Sequence, residues 1–578
     1  MLPGFGLPVN HVPQKGDPEY IDDLYCSALS PGNLYHGFIN QRLTTLREFT
    51  MMQLMNTITD KPGWQIKVYD PKISYKWKEE ALSSGKDISS KMVDWCIDEL
   101  RYKASLIPDS APHPPPIVVY NGDVVKSDYA VSPELKIELQ NAVKAFEDKI
   151  PEHLKDWHPD SDEKVLDLVH PSLYPLVYGL TRVLPDGQIT TLDDCIQRSG
   201  QGSKSIDNPR GIFGPYRSPY SAKFQWLPCE VDISGEEARI TSYINNLHPQ
   251  EDKPLYKLIS KLITVSIPLW NLTMAPLRKG GWGGSLFLHS PRIHYNKVVY
   301  DPDPANWPEQ EGPQPDHEEG EDRDDDMYLQ RRQAWIESTR RIVLPEPGVF
   351  KPLPSPPPFS LKDKYGARGL QVIVKLANIE LTPDKPEYNG GSWHIEGQMN
   401  EHIVATSIYY YSSSNITTSS LSFRQQCWSN IDYDIDYPVG SDYEWLLDIF
   451  GCERNEPTVQ FVGSVMTPEG RLLTFPNILQ HRVEPFKLED PTKPGHRKIV
   501  ALFLVDPNIK IISTANVPCQ RADWVLNADS SSARSEDGFP ITEDAAKDLK
   551  LELMEERKEF AVNHGIAFEA MTISLCEH

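Results

Sequence analysis

Apolar and polar positions alternate over short runs in the second half of the chain, and follow a helical period in the first. Ile88 to Ser105 puts Met92, Trp95, Cys96 and Leu100 on one helical face and leaves Asp94, Asp98 and Glu99 wet. Ser132-Pro133-Glu134 supplies an N-cap and a first-turn proline, predicting a helix through about Ile150. Strands are predicted near Phe224 to Ile233 and Arg239 to Ile244, with a helix from about Pro254. Gly369 to Leu381, Ile403 to Tyr411, Val459 to Met466, Arg471 to Phe475 and Ile499 to Val505 are rich in β-branched, aliphatic or aromatic residues and read as strands. Thr467-Pro-Glu-Gly470 reads as a hairpin connection, and Asn389-Gly390-Gly391 as a turn. Thr542, followed by Glu543 and Asp544, caps a last helix that runs to a stop at Asn563-His564-Gly565.

These elements predict an α+β fold. Its core is a double-stranded β-helix of jelly-roll or cupin-like type, with a large N-terminal helical region and a C-terminal helix. The expected organisation is a mostly helical region at 1–215 and strands and a helix at 216–300 that enter or pack on the barrel. An acidic and Pro-rich connector follows at 301–360, then the barrel core at 361–520 and a helical segment at 521–578. No internal repeat is visible.

Composition narrows the class. A formal net charge of -24 and no basic stripe disfavour nucleic acid and anionic membranes as partners. Much of the excess acid lies in residues 309–326, read as a solvated loop that could dock a basic partner. The eight cysteines are scattered without a C-x-x-C pair, as a reducing compartment permits. No secretory signal or apolar run of about 20 residues is visible, so a cytoplasmic location is expected, with the nucleus left open. Lys279 to Gly284 is a glycine-rich turn outside any strand–turn–helix context, so it is not a phosphate loop.

The chemistry concentrates at His394-Ile395-Glu396, with His481 and Arg497 downstream. Two imidazoles and a carboxylate are the ligand set of a facial triad, which leaves the opposite face of a ferrous ion open. In a strand, residues i and i+2 share a face, so the expectation is that His394 and Glu396 grip one ion from a strand while Ile395 turns away. His496, next to Arg497, is expected to face the other way. His402, Trp393, Asn389 and Arg424 are read as structural or ordinary polar positions near the site.

The order of parts resembles the 2-oxoglutarate/Fe(II)-dependent oxygenases, particularly their prolyl-hydroxylase-like branch. The matching positions are Gly390 and Gly391, His394 and Glu396, the aromatic strand at Tyr409 to Tyr411, Gly470 to Pro476, His481 and Arg497. The resemblance implies that His394, Glu396 and His481 hold Fe(II) and that Arg497 binds the C5 carboxylate of the co-substrate 2-oxoglutarate. A guanidinium fork suits that carboxylate because it pairs bidentately and stays charged. Tyr410 matches a hydroxyl that contacts the same carboxylate. Glu396 stands where Asp is commoner, and a carboxylate there tells against halogenation.

Over most of its length the chain also resembles a fungal family of unknown function. Ile58 to Asp70, His170 to Leu184, Ile240 to Pro249 and Gly390 to Ile403 carry that likeness. The implied activity is oxidation of an unidentified organic substrate with O2, most simply hydroxylation, with desaturation or cyclisation as variants. The alternatives are a non-redox cupin-like metal-binding or interaction protein and a metal-dependent isomerase or dioxygenase that uses no 2-oxoglutarate.

Overall fold

Residues 1–29, 42–121, 123–205, 218–277, 290–307, 326–427, 435–438, 443–528, 538–573 and 575 are described by the structure, a computed structural model. The acidic run up to residue 325 and the Lys279–Gly284 turn lie outside these residues.

The N-terminal helices are α1 (Leu46–Thr59), α2 (Pro71–Leu82) and α3 (Ser90–Ser105). Their starts follow from side-chain caps: Thr45 Oγ1 accepts from the Glu48 amide and Ser89 Oγ from that of Met92. Met92, Trp95, Cys96 and Leu100 of α3 are all buried, as the period predicts, but Glu99, expected wet, is buried as well, paired with Arg292 at 2.7 Å. Strands β1 (Ile117–Tyr120) and β2 (Val124–Ser127) come next, then α4 (Pro133–Glu147) and β3 (Val165–Val169).

Strands β4 (Cys229–Asp232) and β5 (Arg239–Ile240) precede α5 (Lys253–Met274). By length and hydropathy α5 reaches the range of a membrane span, which the sequence reading did not anticipate. Leu255, Ile259, Leu262, Ile263, Leu269 and Trp270 on it are buried in the core, as in a helix that packs on a sheet.

The remaining strands of the two main sheets are β6 (Leu370–Leu381), β7 (Ile403–Ser414), β8 (Ser420–Gln426), β9 (Val459–Met466), β10 (Leu472–Pro476), β11 (Gln480–Val483) and β12 (Gly495–Val505); a last helix, α6, spans Glu543–Phe568. Among the described residues nine strands make one sheet in the order β5-β4-β6-β12-β7-β10-β2-β1, with β3 also paired to β6. Every one of these pairings is antiparallel. A second sheet has the order β9-β8-β11. The Phe423 ring on β8 meets that of Phe475 on β10, 5.1 Å between centroids, so the small sheet lies against one face of the large one.

Three expectations change. The stretch up to residue 215 is not only helical: β1, β2 and β3 from it extend the large sheet. Thr467 to Gly470 joins β9 of one sheet to β10 of the other, so it is an inter-sheet crossing and not a hairpin. Gly565 lies inside α6 instead of ending it.

The inner face of the large sheet follows from its register. Opposed residues of an antiparallel pair share a face, and so do alternate residues along a strand. Arg497 opposes Ile379, Ala377 opposes Ile499, Lys375 opposes Ala501 and Ile373 opposes Phe503. Tyr410, Ile408 and Thr406 of β7 continue these rows, and Thr406 opposes Phe475 of β10. Phe475 touches both Phe423 and His481, so this face looks onto the small sheet. Lys498 projects the opposite way, pairing at 2.6 Å with Glu147 of α4.

Candidate metal centre

His394, Glu396 and His481 converge, with their ligand atoms all within 4.8 Å of one another. Glu396 Oε1 lies 3.4 Å from His481 Nε2 and 3.8 Å from His394 Nε2, and the two imidazole centroids are 4.4 Å apart. Ligands bound at roughly 2.0–2.2 Å to one ion would sit only slightly closer together than this.

The strand expected at His394-Ile395-Glu396 is not there. His394 makes a single isolated antiparallel bridge to His481, its amide donating to the His481 carbonyl (3.2 Å) and the reverse bond measuring 2.9 Å. Asn477 then does for Glu396 what a neighbouring strand would: its Oδ1 accepts from the Glu396 amide and its Nδ2 donates to the Glu396 carbonyl, both at 2.9 Å. Glycine follows at 397 because φ is +71° there and a Cβ would stand 2.8 Å from Ile403 Cδ1. Loop, bridge and carboxamide together aim the pair that the sequence assigned to a strand.

Proton placement suits ligation. Nδ1 of His394 lies 2.8 Å from the Ser392 carbonyl, which fixes its proton there and frees Nε2 for an ion. Burial, reinforced by His481, brings the His394 imidazole down to about 4 against the pull of Glu396, so it is neutral at physiological pH. Burial acts to raise Glu396, but its bond to His481 and the charge of His394 outweigh this and hold the carboxyl at about 2. The site opens on one side: the His394 side chain is 36% exposed and that of His481 only 4%. Trp393 stands beside the mouth, with the guanidinium groups of Arg482 and Arg424 4.6 and 5.1 Å from its ring centroid.

Arg497 and Tyr410 lie deeper. Arg497 is 2% exposed and its guanidinium lies 4.6 Å from the Tyr410 ring centroid. No acid pairs with it among the described residues, and neither its Nε nor the Tyr410 hydroxyl finds a hydrogen-bond partner. Burial raises Tyr410 from the ordinary phenol value, while the Arg497 charge opposes the rise. His496 faces the other way and bonds Ser412 at 2.8 Å, as expected. His402 is buried apart from the triad, its Nε2 unpartnered, and burial lowers it to about 4. Arg424 bonds Gln480 and Glu569, both at 2.7 Å.

A second His/Asp/His cluster, His158, Asp167 and His170, also has ligand spacing. It is filled by ion pairs instead: Asp167 Oδ2 lies 2.9 Å from Lys550 Nζ and 3.1 Å from His158 Nδ1. Sequence reasoning missed this cluster, Asn477, and a half-buried lysine, Lys375, whose signal was its place inside an apolar strand.

The molecule is thus a mixed α and β protein with antiparallel sheets and a set of His and acidic side chains able to hold a metal. The chain belongs to the family described as "Protein of unknown function (DUF4246)", which matches residues 90–528, and the family's N-terminal domain matches residues 2–80. No curated protein matches it. Among solved structures, the Fe(II)/(alpha)ketoglutarate-dependent dioxygenase TqaL aligns at 14% identity over 66% of this chain and 94% of that one, with a TM-score of 0.22. IDO from Bacillus thuringiensis aligns at 10% identity over 24% of this chain and 48% of that one, TM-score 0.15. A bsmA homolog from Methylobium petroleophilum PM1 gives 10% over 25% and 46%, TM-score 0.16. The chain thus spans about half the length of these last two structures, and at such TM-scores the likenesses carry no weight for function.

Proposed function

We propose that this protein is an Fe(II)- and 2-oxoglutarate-dependent oxygenase whose two facing sheets form a double-stranded β-helix. The observation that supports this best is Arg497: a guanidinium buried without an acid partner among the described residues, on the inner face that looks onto the small sheet carrying His481. Burying an unpaired charge costs several kcal/mol, so a cation kept in this state marks the seat of an absent anion. A dicarboxylate that reaches from the triad to Arg497 fills it.

In this reading His394, Glu396 and His481 hold the ion by two neutral nitrogens and one carboxylate, leaving positions free on the open side. Fe(II) with 2-oxoglutarate supplies the activation of O2, giving succinate and CO2 and placing one oxygen atom in the substrate. The chain's own part is positional. Arg497 forks onto the distal carboxylate, with the Tyr410 hydroxyl as a second donor. Ser392 holds the His394 tautomer, and Asn477 fixes the carboxylate-bearing residue. Phe475, Phe423 and Tyr410 keep the deep end dry, while the exposed side of His394 admits the substrate. Hydroxylation is the simplest outcome.

The test is anaerobic titration of the Fe(II)-loaded protein with 2-oxoglutarate, following the visible charge-transfer absorption of the chelate. The band is expected in wild type and lost in His394→Ala, and it should require far more 2-oxoglutarate in Arg497→Ala. Its absence in wild type, or its persistence unchanged in both variants, overturns the proposal.

A further inference from the structure

Lys375 is the group on the inner face that the reading above leaves unused. It sits within Leu370–Leu381, an otherwise mostly apolar strand paired on both edges. The side chain is half-buried and makes no hydrogen bond or ion pair among the described residues. Its charge reaches two neighbourhoods: His394 and Glu396 on one side, Asp167 and His170 on the other.

Both acids are committed elsewhere. Glu396 belongs to the metal set, and Asp167 is paired with Lys550 and His158. Asp156 shares the same Lys550 at 2.7 Å, so one negative charge is left over there. That charge offsets part of the cost of burying Lys375, but no bond joins the two: Asp167 Oδ1 is buried without a hydrogen-bond partner. The three N–H donors of Lys375 thus have no protein acceptor among the described residues.

Most side chains beside Lys375 on this face are small or apolar. Ala501 directly opposes Lys375, and Ala377 stands two positions along on the same face. Ile373, Phe503 and Ile408 flank these two methyl groups on the inner face, giving an apolar patch with Asp167 opposite Ala377 at its edge. Arg497 lies four positions from Ala501 along β12, about 13 Å at roughly 3.3 Å per residue. A co-substrate seated on Arg497 and the metal leaves this second cation for a different molecule.

We propose that Lys375 recognises the substrate that is oxidised, and that this substrate is a monocarboxylate with an apolar body. The carboxylate accepts from the ammonium, and the body lies over Ala377 and Ala501 towards the metal. This rests on the oxygenase reading for the chemistry, though not for the anion site itself.

The experiment has two arms. In the first, succinate formation by the Fe(II) protein with 2-oxoglutarate and O2 is measured with hexanoate, phenylacetate, N-acetyl-leucine and N-acetyl-phenylalanine, each beside its primary amide. At least one acid should raise the rate fivefold or more over its amide. Lys375→Met should abolish that difference while keeping the 2-oxoglutarate absorption band. In the second arm, melting of the Zn(II)-loaded protein is followed with the same acids and amides, with Lys375→Gln as a second neutral variant. An acid-specific rise in Tm that both variants lose supports the site. If wild type shows no 2-oxoglutarate band but keeps this Lys375-dependent rise, the oxygenase reading falls and the anion site stands. If the band forms but acids and amides act alike, or Lys375→Met weakens 2-oxoglutarate tenfold, the assignment of Lys375 to the substrate is overturned.

Discussion

His394 and His481 face each other across one bridge and exchange both backbone hydrogen bonds, 3.2 and 2.9 Å long. Two candidate metal ligands are thus held together by main chain without an ion, and the third is locked to the same framework through Asn477. Such outer contacts are worth about 10- to 100-fold in metal affinity. Asn477→Ala should therefore bind Co(II) 10- to 100-fold more weakly than wild type in a calorimetric titration. Glu396→Ala, which removes a ligand, should lose more. Equal affinity in Asn477→Ala and wild type would show that the loop holds Glu396 unaided.

Gly397 follows Glu396 in a left-handed conformation, with a prospective Cβ 2.8 Å from Ile403 and 3.2 Å from Glu401 Oε2. Gly397→Ala meets a backbone cost of about 1–2 kcal/mol and a steric one besides. The expected result is a fold weakened by at least that amount in urea denaturation and a weaker metal site. A variant as stable as wild type would contradict the geometry.

Glu401 accepts from both terminal nitrogens of Arg557 on α6, at 2.7 and 3.0 Å, and from the amides of Trp226 and Gln398. Its carboxylate is fully buried. Removing the cation strands a buried charge, at a cost of about 3–5 kcal/mol. Arg557→Met should lower stability by that amount, and Glu401→Gln/Arg557→Met together by less than the sum of the single changes. Additive losses in the double-mutant cycle would mean that the pair does not couple.

Arg497 invites the opposite result. Its guanidinium has no acid partner to lose, so Arg497→Met in the ligand-free protein should melt at the same temperature as wild type or higher. The same variant should bind 2-oxoglutarate about 10- to 150-fold more weakly, the equivalent of one charge-assisted contact of roughly 1.5–3 kcal/mol. A large drop in melting temperature without ligand would assign Arg497 a structural duty instead.

Acid should loosen the metal-free fold in two stages. His394 titrates near 4 when folded and near 6.5 when free, so the stability tied to its neutral form is present above 6.5 and lost as pH falls towards 4. Glu396, near 2 when folded and 4.5 when free, contributes stability above 4.5 that is lost as pH falls towards 2. His402 and His564, both lowered to about 4 by burial, add to the first stage. Melting temperatures of apo protein should fall between pH 6.5 and 4, and less steeply in His394→Gln. Parallel curves for wild type and variant would remove His394 from that account.

The sequence was legible where residue type and order carry the information. The strands around residues 370–381, 403–414 and 495–505 followed from β-branched and aromatic content, and His394, Glu396 and His481 do meet in space. The mechanism of aiming them was not legible, because a single bridge and a side-chain amide leave no periodicity. Strands β1 and β2 had a signal that went unused: two short β-branched runs separated by Asn121-Gly122-Asp123, whose Asn-Gly pair favours a hairpin. Lys375 was hidden by its neighbours, since a run of valine, isoleucine and leucine reads as one apolar strand whatever single polar residue it contains. The Glu401–Arg557 pair joins segments 156 residues apart, and no local pattern announces such a contact.

Arg497 also bears on how the protein comes out of the cell. A buried guanidinium without an acid partner among the described residues attracts anions from its surroundings, so freshly isolated material should arrive already carrying cellular acids, and citrate or phosphate in a buffer would compete with them. Denaturing a gently purified sample and weighing the small anions it releases would then name the occupants directly, with no library to screen.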